Sequence, residues 1–273
     1  MRVALGQVDA DRDVARCRDL ARAAVASAAA DGADLLVLPE YASVFDPRGV
    51  GPADAEEVDG PYVTALRGAA REHGVAVVAG VTLPGGDGAR AGNGVVLVTG
   101  DGDVALVYRK VHLYDAFGHR ESDRFEPGPL DVPAPVVRVG ALSVGLMTCY
   151  DLRFPESARR LVDAGADVLV CPAAWAAGPG KTEQWIVLAR ARAIESTAYV
   201  VAVGMAGRGV CGTSLAVAPD GTVLARLGRE PEQAAVDLDP GLVGRVRERN
   251  PSLANRRLRV VPGAPGGAAG PRP

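Results

Sequence analysis

The segment ADGADLLVLPE at residues 30–40 returns later in the chain as DAGADVLVCPA at residues 163–173. A second pair follows in the same order, with DGDVALV at 101–107 and DGTVLAR at 220–226. Each long segment joins the end of a helical pattern to an apolar run of strand length, as in proteins that alternate helices and strands. The matching order predicts an internal duplication, in which two similar halves each form a sheet with helices on one face.

The elements around these segments alternate regularly, and turn residues separate them. The predicted strands and hairpins cover 3–8, 34–40, 75–83, 94–110, 142–150, 167–172 and 199–204, with a further hairpin at Asp220-Gly221, and the predicted helices cover 12–30, 61–73, 155–165 and 182–196. This order predicts an α/β fold whose two halves bury their bare sheet faces against each other.

The composition is that of a globular chain with a sizeable core. Of the 273 residues, 48% are hydrophobic and 23% are charged, which excludes a disordered chain or a fibre. The net charge of -3 gives no reason to expect binding to nucleic acid or to an anionic membrane. Residues 1–260 are predicted to form one domain, and the Gly/Pro/Ala-rich segment 261–273 is predicted to be a disordered tail.

The cysteines and the N-terminal residues bear on the compartment. The four cysteines are far apart and have no histidines at ligand spacing, which argues against a disulfide framework or a zinc site. The chain starts without the basic and apolar regions of a signal peptide, and no apolar run reaches about 18 residues. We therefore expect a cytoplasmic protein with reduced cysteines.

Three chemically complementary residues stand where predicted strands end, namely Glu40, Lys110 and Cys149. Ligands of open α/β sheets gather beyond the carboxyl ends of strands. Of the 30 basic residues, only Lys110 and Lys181 are lysines, and this scarcity favours a specific role for a lysine that the chain retains. Lys110 ends a strand beside other candidate residues, whereas Lys181 begins a predicted helix and is assigned no role.

The chemistry of this set points to covalent catalysis. A thiol attacks as its thiolate. A nearby ammonium stabilises the thiolate, and a nearby carboxylate can accept the proton that the thiol loses. Cys149 lies at a strand-to-helix junction, where a sharp turn would lift its sulfur out of the sheet. The backbone N–H of Tyr150 would then be a second donor, beside Lys110, to an oxyanion.

Three segments extend this interpretation to a family. LPE at 38–40, YRKVHLYD at 108–115 and CYDLRFPE at 149–156 resemble, in order and spacing, the signature segments of the nitrilase, or carbon–nitrogen hydrolase, superfamily. The resemblance covers residues 1 to about 260. It implies a four-layer α-β-β-α sandwich with an internal two-fold pseudo-repeat, which agrees with the duplication.

The resemblance also implies roles for particular residues. Cys149 is the nucleophile, Glu40 the general base and Lys110 the cation that stabilises the oxyanion. Glu121 matches a fourth, acidic residue that positions the substrate or supports the lysine. The implied reaction on a small-molecule amide releases ammonia, forms a thioester and needs no metal or organic cofactor. Family members are usually homodimers or larger homo-oligomers.

The segment CYDLRFPE is most similar to the branch of ω-amidases and deaminated-glutathione amidases, whose substrates carry a carboxylate. Arg153 is a candidate to bind that carboxylate through a bidentate pair, or else pairs structurally with Asp151 or Glu156. Trp175 either lines the pocket or packs between the sheets.

Other interpretations remain open at this point. Within the superfamily, the chain is alternatively an N-carbamoyl amide hydrolase or a nitrilase. A Cys-His hydrolase would pair Cys149 with His112 or His119, although a supporting, hydrogen-bonded role for His112 is favoured. A non-catalytic binding protein that retains the fold is a further alternative. The arginine-dense stretch at 245–259 lacks interleaved aromatic residues, which favours a solvated or subunit-contact role over nucleic-acid binding.

Overall fold

The computed structural model describes residues 1–86 and 88–261, so nearly all of the predicted tail lies outside the described residues. The helices are α1 Val14–Ala30, α2 Pro61–His73, α3 Pro155–Asp163, α4 Lys181–Ser196 and α5 Leu242–Arg249. The strands are β1 Arg2–Gln7, β2 Leu35–Val37, β3 Ala76–Pro84, β4 Ala91–Val98, β5 Val104–Arg109, β6 Asp115–Ala116, β7 His119–Arg120, β8 Phe125–Glu126, β9 Val136–Val139, β10 Leu142–Leu146, β11 Val168–Ala173, β12 Tyr199–Gly204, β13 Leu215–Val217, β14 Val223–Arg226 and β15 Glu232–Asp237. No helix in these described residues is both long and apolar enough to cross a membrane.

Two sheets of the same design confirm the predicted duplication. In the first, β1, β2 and β3 are parallel neighbours, and β4 and β5 continue the sheet antiparallel. In the second, β10, β11 and β12 are parallel neighbours, and β13 and β14 continue it antiparallel. The last strand, β15, crosses to the first sheet and pairs antiparallel with β1.

Alternation of apolar side chains along the strands builds four layers. In β2 and the residue after it, Leu36 and Leu38 pack toward α1 and α2, whereas Leu35 and Val37 pack toward the other sheet. Strand β11 alternates in the same way between the second sheet's helices, α3 and α4, and the first sheet. The fold is therefore the α-β-β-α sandwich that the sequence predicted.

Local chemistry sets the helix ends. The Asp13 carboxylate accepts from the backbone N–H groups of Ala15 and Arg16, at 3.0 and 3.1 Å, so α1 begins at Val14. Helix α2 begins with Pro61 and ends at Gly74, whose φ of +68° suits glycine.

Two predicted strands are shorter than expected at the ends that matter for function. The strand predicted at 34–40 ends at Val37, because Pro39 cannot donate to a ladder and the chain turns at Glu40. The strand predicted at 142–150 ends at Leu146, and residues Cys149–Arg153 form a 3₁₀ turn. Both departures release a candidate site residue from its sheet.

Candidate active site

Glu40, Lys110 and Cys149 line one cavity of about 620 Å³, a volume typical of small-molecule sites. Lys110 Nζ lies 2.9 Å from Glu40 Oε1 and 2.9 Å from Glu121 Oε2. All four side chains are buried. The structure therefore brings together the four residues to which the sequence assigned a catalytic role, from both halves of the chain.

Asn93, in the middle of β4, completes the charged cluster and was not anticipated. Its amide nitrogen donates to Glu40 Oε1 and to Glu121 Oε1, each at 2.8 Å. The hydroxyl of Tyr41 donates to Glu121 Oε1 at 2.9 Å. Asparagine is uncommon within strands, so a lone one in AGNGVVLV at 91–98 was a usable sequence signal.

The Glu40 carboxylate is held from several sides. Its Oε2 accepts from the backbone N–H of Ala174 at 2.7 Å, while Oε1 accepts from Lys110 and Asn93. Strand β3 approaches so closely beneath it that a Cβ on Gly80 would lie 2.4 Å from Glu40 Cα. Glycine is required there, and the close packing fixes the carboxylate relative to the rest of the cavity.

Cys149 occupies a strained turn. Its φ of +47° lies in the left-handed region, which is rare for a residue with a side chain. The buried carboxylate of Asp151 supports the turn by accepting from the N–H of Thr148 at 3.0 Å and from the hydroxyl of Tyr108 at 2.6 Å. The predicted sharp turn at the nucleophile is therefore present in the structure.

His112 links this turn to the end of β5. Its Nδ1 lies 2.8 Å from Asp151 Oδ1, and its ring stacks on Phe154 with centroids 3.8 Å apart. These contacts favour the supporting role over the Cys-His alternative, because the imidazole engages Asp151. His119 lines the cavity, where its ring lies 5.5 Å from that of Tyr114.

The charges of the cluster are strongly coupled. Burial disfavours the Lys110 ammonium, but the charges of Glu121 and Glu40 outweigh burial and raise the pKa of Lys110 well above its ordinary value. Burial likewise raises the pKa of Glu121, but the charge and hydrogen bond of Lys110 outweigh it and lower that pKa overall. Both shifts favour the charged forms of this pair, a Lys110 ammonium 2.9 Å from a Glu121 carboxylate oxygen.

The thiol is neutral in this environment. Burial and then the charge of Glu40 raise the pKa of Cys149 well above its ordinary value, and Lys110 offsets only part of this effect. The sequence interpretation expected the ammonium to favour the thiolate. The Lys110 ammonium does lower the pKa of Cys149, but burial and the Glu40 carboxylate raise it by more.

We expect Glu40→Gln to make Cys149 more reactive toward a small neutral thiol reagent, because a neutral amide removes the charge that opposes the thiolate. The pH midpoint of modification by methyl methanethiosulfonate should fall. Mass spectrometry of the Cys149 peptide measures the rate. Glu183→Gln, at an exposed position on α4, is the matched control. An unchanged or more alkaline midpoint in Glu40→Gln would contradict this account.

Two further predicted residues, Arg153 and Trp175, line the cavity wall. Arg153 pairs with neither Asp151 nor Glu156; its Nη2 donates to Gln184 Oε1 at 2.6 Å. The Asp151 carboxylate instead accepts from Tyr108 and Thr148, so the structural pair that was the alternative to substrate binding is not formed.

Trp175 takes the first of its two predicted positions, the pocket wall, but it packs on the α4 side of the second sheet and not between the two sheets. It lines the cavity, with the Arg153 guanidinium 4.9 Å from its ring, and it packs against Trp185 with centroids 5.2 Å apart. Tyr150 also lines the cavity, and its ring packs edge-on against Tyr114 and Phe154.

Lys181 corrects the sequence interpretation, which assigned it no role. It does begin α4, as predicted, but its side chain lines the cavity. Its Nζ donates to the Tyr114 hydroxyl at 3.1 Å and lies 3.2 Å from the centroid of the Phe117 ring. In the part of the chain that the structure describes, no group of three or more histidine, cysteine or acidic side chains is placed to hold a metal ion.

Comparison with known proteins gives consistent matches over most of the chain. The sequence model of the family described as Carbon-nitrogen hydrolase matches residues 2–248. A hydrolase of Mycobacterium tuberculosis is 38% identical over 274 residues, which cover 94% of this chain and 95% of that protein. A deaminated glutathione amidase of Escherichia coli O157:H7 is 35% identical over 260 residues, which cover 94% and 98%.

A solved structure is similar over the same extent. The amidase from Nesterenkonia sp. AN1, in a mutant form, superimposes with a TM-score of 0.80 at 31% identity and covers 94% of each chain. In that structure the acetamide moiety of fluoroacetamide is covalently added at the active-site cysteine.

Proposed function

Since the chain belongs to the carbon–nitrogen hydrolase family and is an amidase-type enzyme, we propose that it hydrolyses the terminal amide of a small carboxylate-bearing substrate. The products are an acid and ammonia, and the intermediate is a thioester at Cys149. The observation that carries the proposal is the buried Glu40–Lys110–Glu121 cluster in the same cavity as the strained Cys149 turn.

The first half of the reaction forms the thioester. As the Cys149 sulfur attacks the amide carbon, Glu40 takes the thiol proton, so that no free thiolate is needed beforehand. The negative charge on the carbonyl oxygen is stabilised by Lys110 and by the backbone N–H of Tyr150. Glu40 then gives its proton to the leaving nitrogen as the carbon–nitrogen bond breaks and ammonia departs.

The second half regenerates the enzyme. Glu40 takes a proton from a water molecule, whose oxygen attacks the thioester carbon and again places charge on the stabilised oxygen. The carbon–sulfur bond breaks, the acid is released, and the proton returns from Glu40 to Cys149. Glu121 and Asn93 act throughout by holding Lys110 and Glu40 in place.

One residue outside this cluster fits a carboxylate-bearing substrate. Arg153, in the cavity wall, is the group that we expect to bind the carboxylate. A relative named deaminated glutathione amidase is consistent with this choice. In the proposal, residues 1–260 act as one catalytic unit, because Glu40 and Lys110 come from the first half and Cys149 from the second.

A substrate panel tests the proposal. Ammonia release should be measured with glutaramate, N-carbamoyl-β-alanine and 4-cyanobutyrate, which present a carboxylate beside an amide, a carbamoyl group and a nitrile. We expect kcat/KM for glutaramate to exceed the others by roughly tenfold or more, with an acyl adduct on Cys149 in the intact mass. A preference for the carbamoyl compound or the nitrile would assign the alternative activity, and no turnover of any of them would contradict the proposal.

A further inference from the structure

Two cations stand in one wall of the catalytic cavity without an acidic partner. Lys181 and Arg153 both line the cavity that contains Cys149. Neither forms an ion pair with a carboxylate among residues 1–86 and 88–261, whereas the other lysine, Lys110, lies between two. Partly buried charges are usually paired with an opposite charge, and these two cations have none, so an anion could bind beside them.

Neutral groups alone hold the Lys181 ammonium. Its Nζ donates to the Tyr114 hydroxyl at 3.1 Å and rests on the face of Phe117, 3.2 Å from the ring centroid. These contacts orient the ammonium without neutralising it. Because an ammonium has three donors, it retains capacity to donate to an anion in the cavity.

Neutral groups also hold the Arg153 guanidinium. It donates to Gln184 and lies over Trp175, while its Nε is buried without any acceptor. A buried donor without a partner is costly, and it indicates a group that a ligand completes.

The two charges act on each other. Burial and then the nearby charge of Arg153 lower the pKa of Lys181, whereas a charge on Cys149 would raise it. The two cations are thus close enough to repel, and close enough to Cys149 to share its cavity. An anion placed between them would remove the repulsion and gain charge-assisted hydrogen bonds from both.

We propose that Lys181 and Arg153 together form a two-cation subsite for the substrate carboxylate, and that Lys181 selects anionic amides over neutral ones. The inference rests on the proposed function and deepens it, because Arg153 alone was expected to bind the carboxylate. The surrounding rings of Tyr114, Phe117 and Trp175 make the intervening space apolar. The substrate class is therefore a monoamide of a small dicarboxylic acid whose amide and carboxylate are joined by methylene groups.

The test compares glutaramate with pentanamide, in which a methyl group replaces the carboxylate. We expect Lys181→Met to lower kcat/KM for glutaramate by roughly 10- to 100-fold and to leave that for pentanamide within about threefold. The loss should be mainly in KM, because the carboxylate contact is made in both the ground state and the transition state. Lys181→Arg, which keeps the charge, should retain most of the preference.

Arg190→Met is the matched control, because it removes one charge from an exposed position of the same helix. Calorimetric binding of glutarate gives a second measurement that does not depend on turnover, and it should weaken in Lys181→Met but not in Arg190→Met. Equal losses for both amides in Lys181→Met, or unchanged glutarate binding, would overturn the subsite. If neither amide is hydrolysed but glutarate binding still depends on Lys181, the proposed function fails and the subsite stands.

Discussion

Replacing Cys149 by alanine is expected to lower kcat for amide hydrolysis by about 10⁴-fold or more, since no other group can form the thioester. Glutaramate should still bind, because the groups proposed to hold it are untouched. Ammonia release under saturating substrate measures the first effect, and calorimetry measures the second. The acyl adduct should be absent from the intact mass.

Cys171→Ala is the matched control for this change. Cys171 is buried like Cys149, although it lies within β11, and the pKa of its thiol is also raised, chiefly by burial. Cys171 is not expected to form a bond with the substrate. Its replacement should therefore lower the stability of the protein, but it should lower kcat by less than about tenfold. If Cys149→Ala releases ammonia as fast as the wild type, the covalent mechanism is wrong.

Replacing Lys110 by methionine is expected to affect both activity and stability strongly. It leaves Glu40 and Glu121 buried without their cation, which costs about 3–5 kcal/mol in the free energy of unfolding. It also removes a donor to the oxyanion, so kcat should fall by about 10²–10³-fold. Urea denaturation and ammonia release measure the two effects.

The pH dependence of stability should change sign in this variant. In the wild type, the lowered pKa of Glu121 contributes stability above the ordinary carboxyl pKa, and this is lost as pH falls. Without Lys110, burial dominates and raises the pKa of the Glu121 carboxyl group. The variant's carboxyl groups then contribute stability that is lost as pH rises, so its deficit should be smaller at about pH 5 than at about pH 8.

Two comparisons make the Lys110 result specific. Adding Glu121→Gln to Lys110→Met should restore much of the stability but none of the activity, because it removes a buried charge without replacing the cation. Lys181→Met removes the other lysine, which has no carboxylate partner among the described residues, and should change stability by less than about 1 kcal/mol. Equal destabilisation by the two lysine replacements would contradict the role of the cluster.

The sequence predicted much of this arrangement because two kinds of pattern agreed. The repeated GAD-containing segments predicted two similar sheets, and the ends of their strands predicted Glu40, Lys110 and Cys149 as neighbours. The wider family resemblance added Glu121, which lies outside the three signature segments and to which no periodicity points. The carbon–nitrogen hydrolase family and the sandwich fold are confirmed. The tail, the homo-oligomer and the cytoplasmic location stay predictions.

Other parts depended on packing that a local pattern does not contain. Asn93 meets Glu40 because β4 pairs with β3, so its contacts follow from sheet register. Arg153 donates to Gln184 on α4, and this contact depends on how α4 packs against the second sheet. The direction of the Lys181 side chain depends on the same packing. A residue at the first position of a helix can point to solvent or inward, and sequence period does not decide between them.

The crossing of β15 into the first sheet has a consequence for the order in which the chain can be assembled. Arg2 and Asp237 are partners in this pairing, so one edge of β1 stays unpaired until almost the whole chain has left the ribosome. Closing so long a loop delays completion of the N-terminal half, even though its other strands are adjacent in sequence. A halved gene product would expose that edge to association with other chains. Although the two halves repeat each other in design, the first sheet is completed only by a strand from the end of the second half.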